Sequence, residues 1–355
     1  MGAGAIKSKN CAWRRGTLVV LVLTAALAMA QPDWDTFVLT STNGSTNNVV
    51  VFKLETAGTP SLSLVSMLPT GGAGGAGASA GALQFAGNFG AVVNFDSNNV
   101  SQLVRFGNTI TVAGTIKLAP NCVKPVSTAI TANQLFVAGS NCAESHRWPF
   151  GDVDSVVTLT DSSAAQIVVG QTWAALTFTS GSLLQLPLNR AGSLAGTSVA
   201  VPLPSDADNT PLGAAFWGDL LGFNPAHSPD SFALVNSSRD VFPVTGPTPP
   251  YPSNAPCWLA KGAGNIWYSG NSPGKAISIF FSDSQGGVFY KSVPLPGSPT
   301  DITVSRDGQW LAVIYTAADG GHVAVFSIDR YGDLTPVAAS SAVGVAAFDG
   351  VAFSQ

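Results

Sequence analysis

The sequence predicts an all-β chain, folded as a seven-bladed β-propeller of four-stranded antiparallel blades and closed by a C-terminal strand that completes the N-terminal blade. Three observations carry that prediction. The first is a meander: DITVS (301–305), QWLAVIY (309–315), HVAVFSI (322–328) and LTPVAA (334–339) are apolar, β-branched runs separated by RDG, TAADGG and DRYGD, which is turn chemistry. The second is a period. CWLA (257–260), NIWYSG (265–270), AISIFF (276–281) and GVFYKSV (287–293) repeat the pattern, their openings Pro256 and Thr300 lie 44 residues apart, and Leu212 opens another unit 44 residues earlier. Four strands per ~40–45 residues is the spacing of propeller blades. The third is the pair of unmatched ends. DTFVLTS (35–41), NNVVVFKL (47–54) and SLSLVSM (61–67) form three strands without a first, and GVAAFDGVAFSQ (344–355) is one strand without a meander.

Taken in order, residues 1–30 read as a signal peptide. Lys7, Lys9, Arg14 and Arg15 precede an apolar run from Thr17 to Met29, and Ala28-Met29-Ala30 offers the small-x-small pattern of a cleavage site. The run falls short of the ~20 residues that a spanning helix needs, so no membrane span is expected. Residues 31–355 then form a single exported domain, secreted or, in a Gram-negative bacterium, periplasmic. Without the leader, twelve of the sixteen basic residues remain beside all twenty acidic ones. Such an acidic chain has no basic stripe from which to release counterions, and nucleic acid is excluded as a partner.

Further blade openings fall at Ala82, Pro125 and Gln171, so six internal blades join the shared one. Ring closure leaves no open sheet edge at the ends, and a monomer is expected. Three cysteines outlast the leader. Cys122 and Cys142 are nearest in sequence and each follows an asparagine, which makes them the expected disulfide and leaves Cys257 over.

In a propeller, the linkers between blades and the loops joining second to third strands emerge at one end of the channel. Here that set is long: PTGGAGGAGASAG (69–81), SNCAESHRWPFGD (140–152), PSDADNTP (204–211), NPAHSPDS (224–231) and TGPTPPYPSNAP (245–256). Function is expected on that rim. NCAESHRWPFGD concentrates charge in a charge-poor chain and supplies the candidate catalytic residues Glu144, His146 and Arg147, an acid–base pair beside an anion-docking guanidinium. Candidate ligand-binding residues are Arg147, His146, His227 and Tyr251. His146, His227 and His322 belong to blades that are not neighbours and lack metal-ligand spacing, so neither a metal nor another cofactor is expected. The run GGAGGAGASAG lacks the lysine-serine pair of a phosphate loop and reads as a flexible linker. No G-x-S-x-G elbow occurs.

VSRDGQWLAVIYTAADGGHVAVFSIDRYGDLT (304–335), echoed by VVVFKLETAG (49–58), resembles the repeat of the lactonase-like seven-bladed propellers, the group of propeller-type 6-phosphogluconolactonases and carboxymuconate-lactonizing enzymes. The shared features are a strand ending in Ser, an Asp-Gly turn, a second apolar strand, then V-x-V-F-x-I and a Gly-containing turn. The resemblance implies the architecture. It also implies that an enzymatic member would act at the channel mouth with arginine, histidine and glutamate side chains, although no residue here aligns with a family catalytic position. Two functions are therefore expected. One is extracellular recognition or adhesion on a carbohydrate or protein surface through the loop-rich rim. The alternative is an exported lactone hydrolase or lactonizing isomerase acting on a small carboxylate.

Overall fold

The computed structural model describes residues 34–77, 79–203, 210–226, 232–244, 255–283 and 286–355. The stretch expected to be a signal peptide, residues 1–30, and the candidate residues His227 and Tyr251 lie outside these residues. Every regular element described is a strand, and none of the described residues forms a helix long and apolar enough to cross a membrane.

Seven four-stranded antiparallel sheets form the blades. In blade 1 the innermost strand is Asp349–Ser354, followed outward by Thr36–Ser41, Asn48–Glu55 and Ser61–Pro69. Phe37 pairs with Ser354, Leu39 with Ala352 and Thr40 with Val351. The last strand of the chain thus zips the ring shut, as the unmatched ends predict. The other innermost strands start at Leu83, Pro125, Ala164, Pro211, Pro256 and Ser298, and each packs beside the innermost strand of the next blade all the way round.

Seven apolar clusters hold the ring, one in each seam between neighbouring blades. Blades 4 and 5, for example, share Trp173, Leu183, Leu221 and Phe223. The second strands contribute most to these seams because both of their faces are covered: Gln134–Gly139 and Trp173–Phe178 are buried at every position. That is why those segments read as continuous apolar runs and not as alternating ones.

Two expectations need correction. Blade 4 opens at Ala164, not at Gln171, which lies in the turn before Trp173–Phe178. Its first strand, AAQIVV, starts with two alanines, which are weak strand formers. Second, the stretch 140–152 is not a loop. Cys142–Arg147 is the third strand of blade 3, and Ser145 pairs with Phe136 on one side and Ser155 on the other. Only the short turns at its two ends are loops, and they emerge at opposite ends of the blade. The alternation of Ala143, Ser145 and Arg147 with Glu144 and His146 hides the strand, because both sets of side chains are packed against protein up to His146.

Candidate functional site in the central channel

The innermost strands carry a recurrent irregularity at the ends where they enter from the linkers. The register shifts just after Pro125, Pro211, Pro256 and Pro299. A proline stands first in three of these strands and second in Ser298–Val304, where its lack of an N–H is tolerated at the strand's start, and the bulge that follows re-aims the next residue. Ser127, Ala214 and Trp258 resume the ladder in three blades, and Asp301 does so in blade 7. A register shift in blade 1 likewise sets Asp349 apart from the rest of its strand.

The glycine-rich linker between blades 1 and 2 covers this end of the channel. The Ser79 carbonyl accepts a hydrogen bond from Trp258 Nε1 in blade 6 (3.2 Å), and Ala80 N donates to the Ala165 carbonyl of blade 4 (3.3 Å). Gly81 N donates to Asp301 Oδ2 of blade 7 (3.1 Å), while its carbonyl accepts from Thr128 N of blade 3 (2.9 Å). Ser79 Oγ donates to both carboxylate oxygens of Asp349. Residues 79–81 therefore tie five blades together across the channel. The linker is a packed closure, not the free linker expected from its composition. Small residues signal close backbone approach as well as freedom: a Cβ on Gly74 would lie 2.5 Å from the Asn43 backbone.

Beneath the closure lies a pair of buried acids. Asp301 is 4% exposed and Asp349 7% exposed. Burial pushes the Asp301 carboxyl up to about 7, against the hydrogen bonds from the backbone of Ile302, Gly81 and Val351. Burial, reinforced by the charge on Asp301, pushes Asp349 up to about 8, against bonds from Ser79 and the backbone of Gly350. Neighbouring carboxyls without a counter-ion share protons and titrate as a unit, so near neutral pH one is ionised while the other holds its proton.

Asp301 lines a channel cavity of about 300 Å³ whose other polar lining includes Gln84, Thr128, Gln166, Lys261 and Thr303. Gln166 Oε1 accepts from Ala214 N (2.6 Å), which leaves its NH₂ group as the remaining donor. Lys261 lies with its ammonium over the rings of Trp217 (5.2 Å) and Trp267 (5.0 Å), donates to the carbonyls of Gly262 and Gly264, and is pushed down to about 8 by burial. Gln84, Ile130, Thr303 and Val304 also border a wider cavity of about 570 Å³ at the other end of the strands. The channel thus runs from a closed end, with two acids, to an open mouth. Phe85, Phe89, Trp148 and Phe353 line the mouth with Arg306, whose guanidinium has no ion pair among the described residues.

The residues singled out in sequence lie elsewhere. Glu144 and His146 are wholly buried. Glu144 accepts from Ala119 N (2.9 Å) and meets His146 Nε2 (2.9 Å), and His146 Nδ1 lies 3.1 Å from the Gly151 carbonyl. This pair fastens the linker entering blade 3 to the turn leaving its third strand. Arg147 is exposed and pairs with Asp154 on the outermost strand (3.2 Å). None of the three borders the channel cavity or its mouth. The same stretch nevertheless sends Trp148 and Pro149 to the mouth. The Cys122–Cys142 disulfide is formed, with Cα atoms 5.3 Å apart. Gly139, opposite Cys142, makes room for it, because a Cβ there would lie 2.7 Å from the Cys142 sulfur. Glu144 lies beside the two sulfurs, but bonded to each other they offer no thiolate to a metal. His322 stacks on Tyr315 and bonds Asp319 within blade 7. It is not brought to His146.

No protein-family model matches the sequence, and no curated protein matches it. Solved structures do match. A periplasmic gluconolactonase of Pseudomonas aeruginosa superposes with a TM-score of 0.66 at 14% identity, over 91% of this chain and 99% of that one. The chain has the fold of the propeller-type lactonases. A candidate 6-phosphogluconolactonase from Bacteroides fragilis gives a TM-score of 0.68 at 14% identity over 92% of this chain and 99% of that one. A protein from Lactobacillus plantarum gives 0.68 at 15% identity over 91% and 100%. The lactonase-type propeller is therefore matched over its full circle.

The acid pair escaped the sequence reading because each acid stands alone in its strand, 48 residues apart in the chain. A signal existed. Asp301 follows the opening proline by two residues, where blades 3 and 6 place Ser127 and Trp258. A carboxylate at a channel-facing repeat position is chemically out of place unless it is used or protonated.

Proposed function

We propose that this protein is an exported hydrolase of small lactones, with Asp301 as the general base at the closed end of the channel. The observation that carries the proposal is the buried Asp301–Asp349 pair, raised toward neutral pH beneath the closure, with Asp301 facing a cavity open at the far end. A carboxylate with its pKa near the working pH is suited to take and return a proton. Asp301 accepts a proton from water as the water oxygen attacks the lactone carbonyl carbon. The tetrahedral adduct then collapses with cleavage of the ring C–O bond, and the proton passes to the departing alkoxide, giving the open hydroxy acid. The NH₂ group of Gln166 is the cavity donor available to the carbonyl oxygen. Asp349, protonated, keeps a second negative charge from accumulating beside Asp301.

The named activity of the Pseudomonas aeruginosa neighbour supports the reaction class, and the leader together with the disulfide supports export. Hydrolysis is favoured over surface recognition because Asp301, with its raised pKa, and the polar side chains of Gln84, Thr128, Gln166 and Thr303 converge on the channel cavity. The test is turnover of a panel of γ- and δ-lactones by the wild type and Asp301→Asn. Loss of turnover in a variant that keeps its fold supports the proposal, and unchanged turnover removes Asp301 from the mechanism.

A further inference from the structure

The open mouth is built around aromatic rings. Phe85, Phe89, Trp148 and Phe353 converge there beside the polar side chains of Gln84, Thr131, Thr303 and Gln355, and Arg306 is the one charged side chain lining the cavity among those described. The rings are also held in place. Phe85 lies over Gly90 on the adjacent strand, its pairing partner, so closely that a Cβ on Gly90 would overlap the ring. Phe89 meets Trp148 edge to face, with centroids 6.2 Å apart. Deeper in the channel Phe216 repeats the device. Its ring sits against Gly170, where a Cβ would come within 2.7 Å, and packs edge to face on Trp173 at 4.8 Å. Phe85, Phe89 and Phe216 are each only partly buried, so their free faces remain available. Aromatic platforms immobilised before binding save the ordering cost of a contact, and their area favours apolar ligand surface.

We infer that the substrate is a lactone bearing an apolar alkyl or aryl substituent, the ring lying at Asp301 and the substituent on Phe85, Phe89 and Trp148 at the mouth. This rests on the lactone-hydrolase reading and adds the substrate class. The strand itself sets the length. Asp301 lines the channel cavity, whereas Val304, three residues on, borders both the cavity and the mouth. At about 3.3 Å per residue the substituent reaches across roughly 10 Å. An unsubstituted ring occupies only the inner cavity and leaves the platforms wet.

The experiment compares kcat/KM for δ-valerolactone, δ-dodecalactone with its seven-carbon chain, and glucono-δ-lactone. It adds calorimetric binding of the heptyl-substituted δ-lactam, which is not turned over, to the wild type, Phe85→Ala and Phe89→Ala. Expected are a preference of at least about 30-fold for δ-dodecalactone over both other lactones and lactam binding that both variants weaken by about tenfold. Either variant must also lower kcat/KM for δ-dodecalactone more than for δ-valerolactone. Equal turnover of the two alkyl lactones, or preference for glucono-δ-lactone, overturns this inference while leaving hydrolysis in place. Lactam binding that depends on Phe85 without turnover of any lactone keeps the apolar-substituent site and overturns the hydrolase reading. Neither binding nor turnover overturns both.

Discussion

Two buried acid clusters invite comparison: Glu144–His146 in blade 3 and Asp301–Asp349 at the channel. Glu144 is fully matched, with a backbone N–H and an imidazole as partners, and it touches no cavity. Asp301 and Asp349 have no cationic partner among the described residues and stand beside each other, and Asp301 borders space that a ligand can enter. The first arrangement suits fastening. The second suits proton transfer, because raising the energy of the charged form is what brings a carboxylate into the range where it can exchange a proton. Density of titratable residues along the chain is thus a poor guide, and access together with an unmatched charge is the better one.

The sharpest way to break this comparison is to change one acid from each pair. Asp301→Asn should lower kcat for lactone hydrolysis by about 10²–10⁴-fold, the usual contribution of a general base. Glu144→Ala should leave kcat of the folded fraction unchanged but cost about 3–5 kcal/mol of stability, the range for removing one member of a buried pair, as measured by denaturant unfolding. If Glu144→Ala removed activity without loss of stability, the two roles would be reversed.

Opening the disulfide comes next. Cys122→Ala with Cys142→Ala should cost about 2–4 kcal/mol, with activity kept at temperatures below the lowered melting point. Peptide mapping without reduction should find Cys122 joined to Cys142 and Cys257 as a free thiol. Burial raises the Cys257 thiol to about 11, so alkylating reagents should label it slowly at pH 7.

The pH dependence of stability separates the pairs more gently. Asp301 and Asp349 have folded-state values raised above the unfolded carboxylate value, so between pH ~4 and ~8 the folded chain holds protons that the unfolded chain has lost. Stability from this pair is therefore greatest near pH 4 and falls as pH rises through about 7 and 8. Melting temperature should decline from pH 5 to pH 8 in the wild type, and the decline should shrink in Asp349→Asn. A rise over that window would contradict the assignment of raised values. The smallest effect is expected at Arg147, the exposed partner of Asp154. Arg147→Ala should change stability by about 0.5 kcal/mol or less, and lactone kinetics should not move, which would be overturned by any marked rise in KM.

Strand positions were legible wherever β-branched runs met strong turn residues, as in QWLAVIYTAADGGHVAVFSI, and less so where alanine opened a strand, as in Ala164–Val169. The disulfide was legible because two cysteines in one short interval left few alternatives. Trp148 was noticed only as part of a charged stretch, and its place at the mouth depends on blades 2 and 3 meeting around Phe89. The glycine run was misread because composition reports that a backbone can approach closely and is silent on what it approaches.

By itself the sequence determined the class, the period and the closure, because alternation of apolar runs with turns is a local property and a repeat multiplies it sevenfold. It also determined which cysteines pair. Only the tertiary structure decided where chemistry is available. Asp301 and Asp349 come from the innermost strands of two blades, and they become one titrating unit because ring closure sets those strands side by side while residues 79–81 remove the solvent above them. Desolvation and charge proximity are properties of three-dimensional neighbours, so no window along the chain contains them.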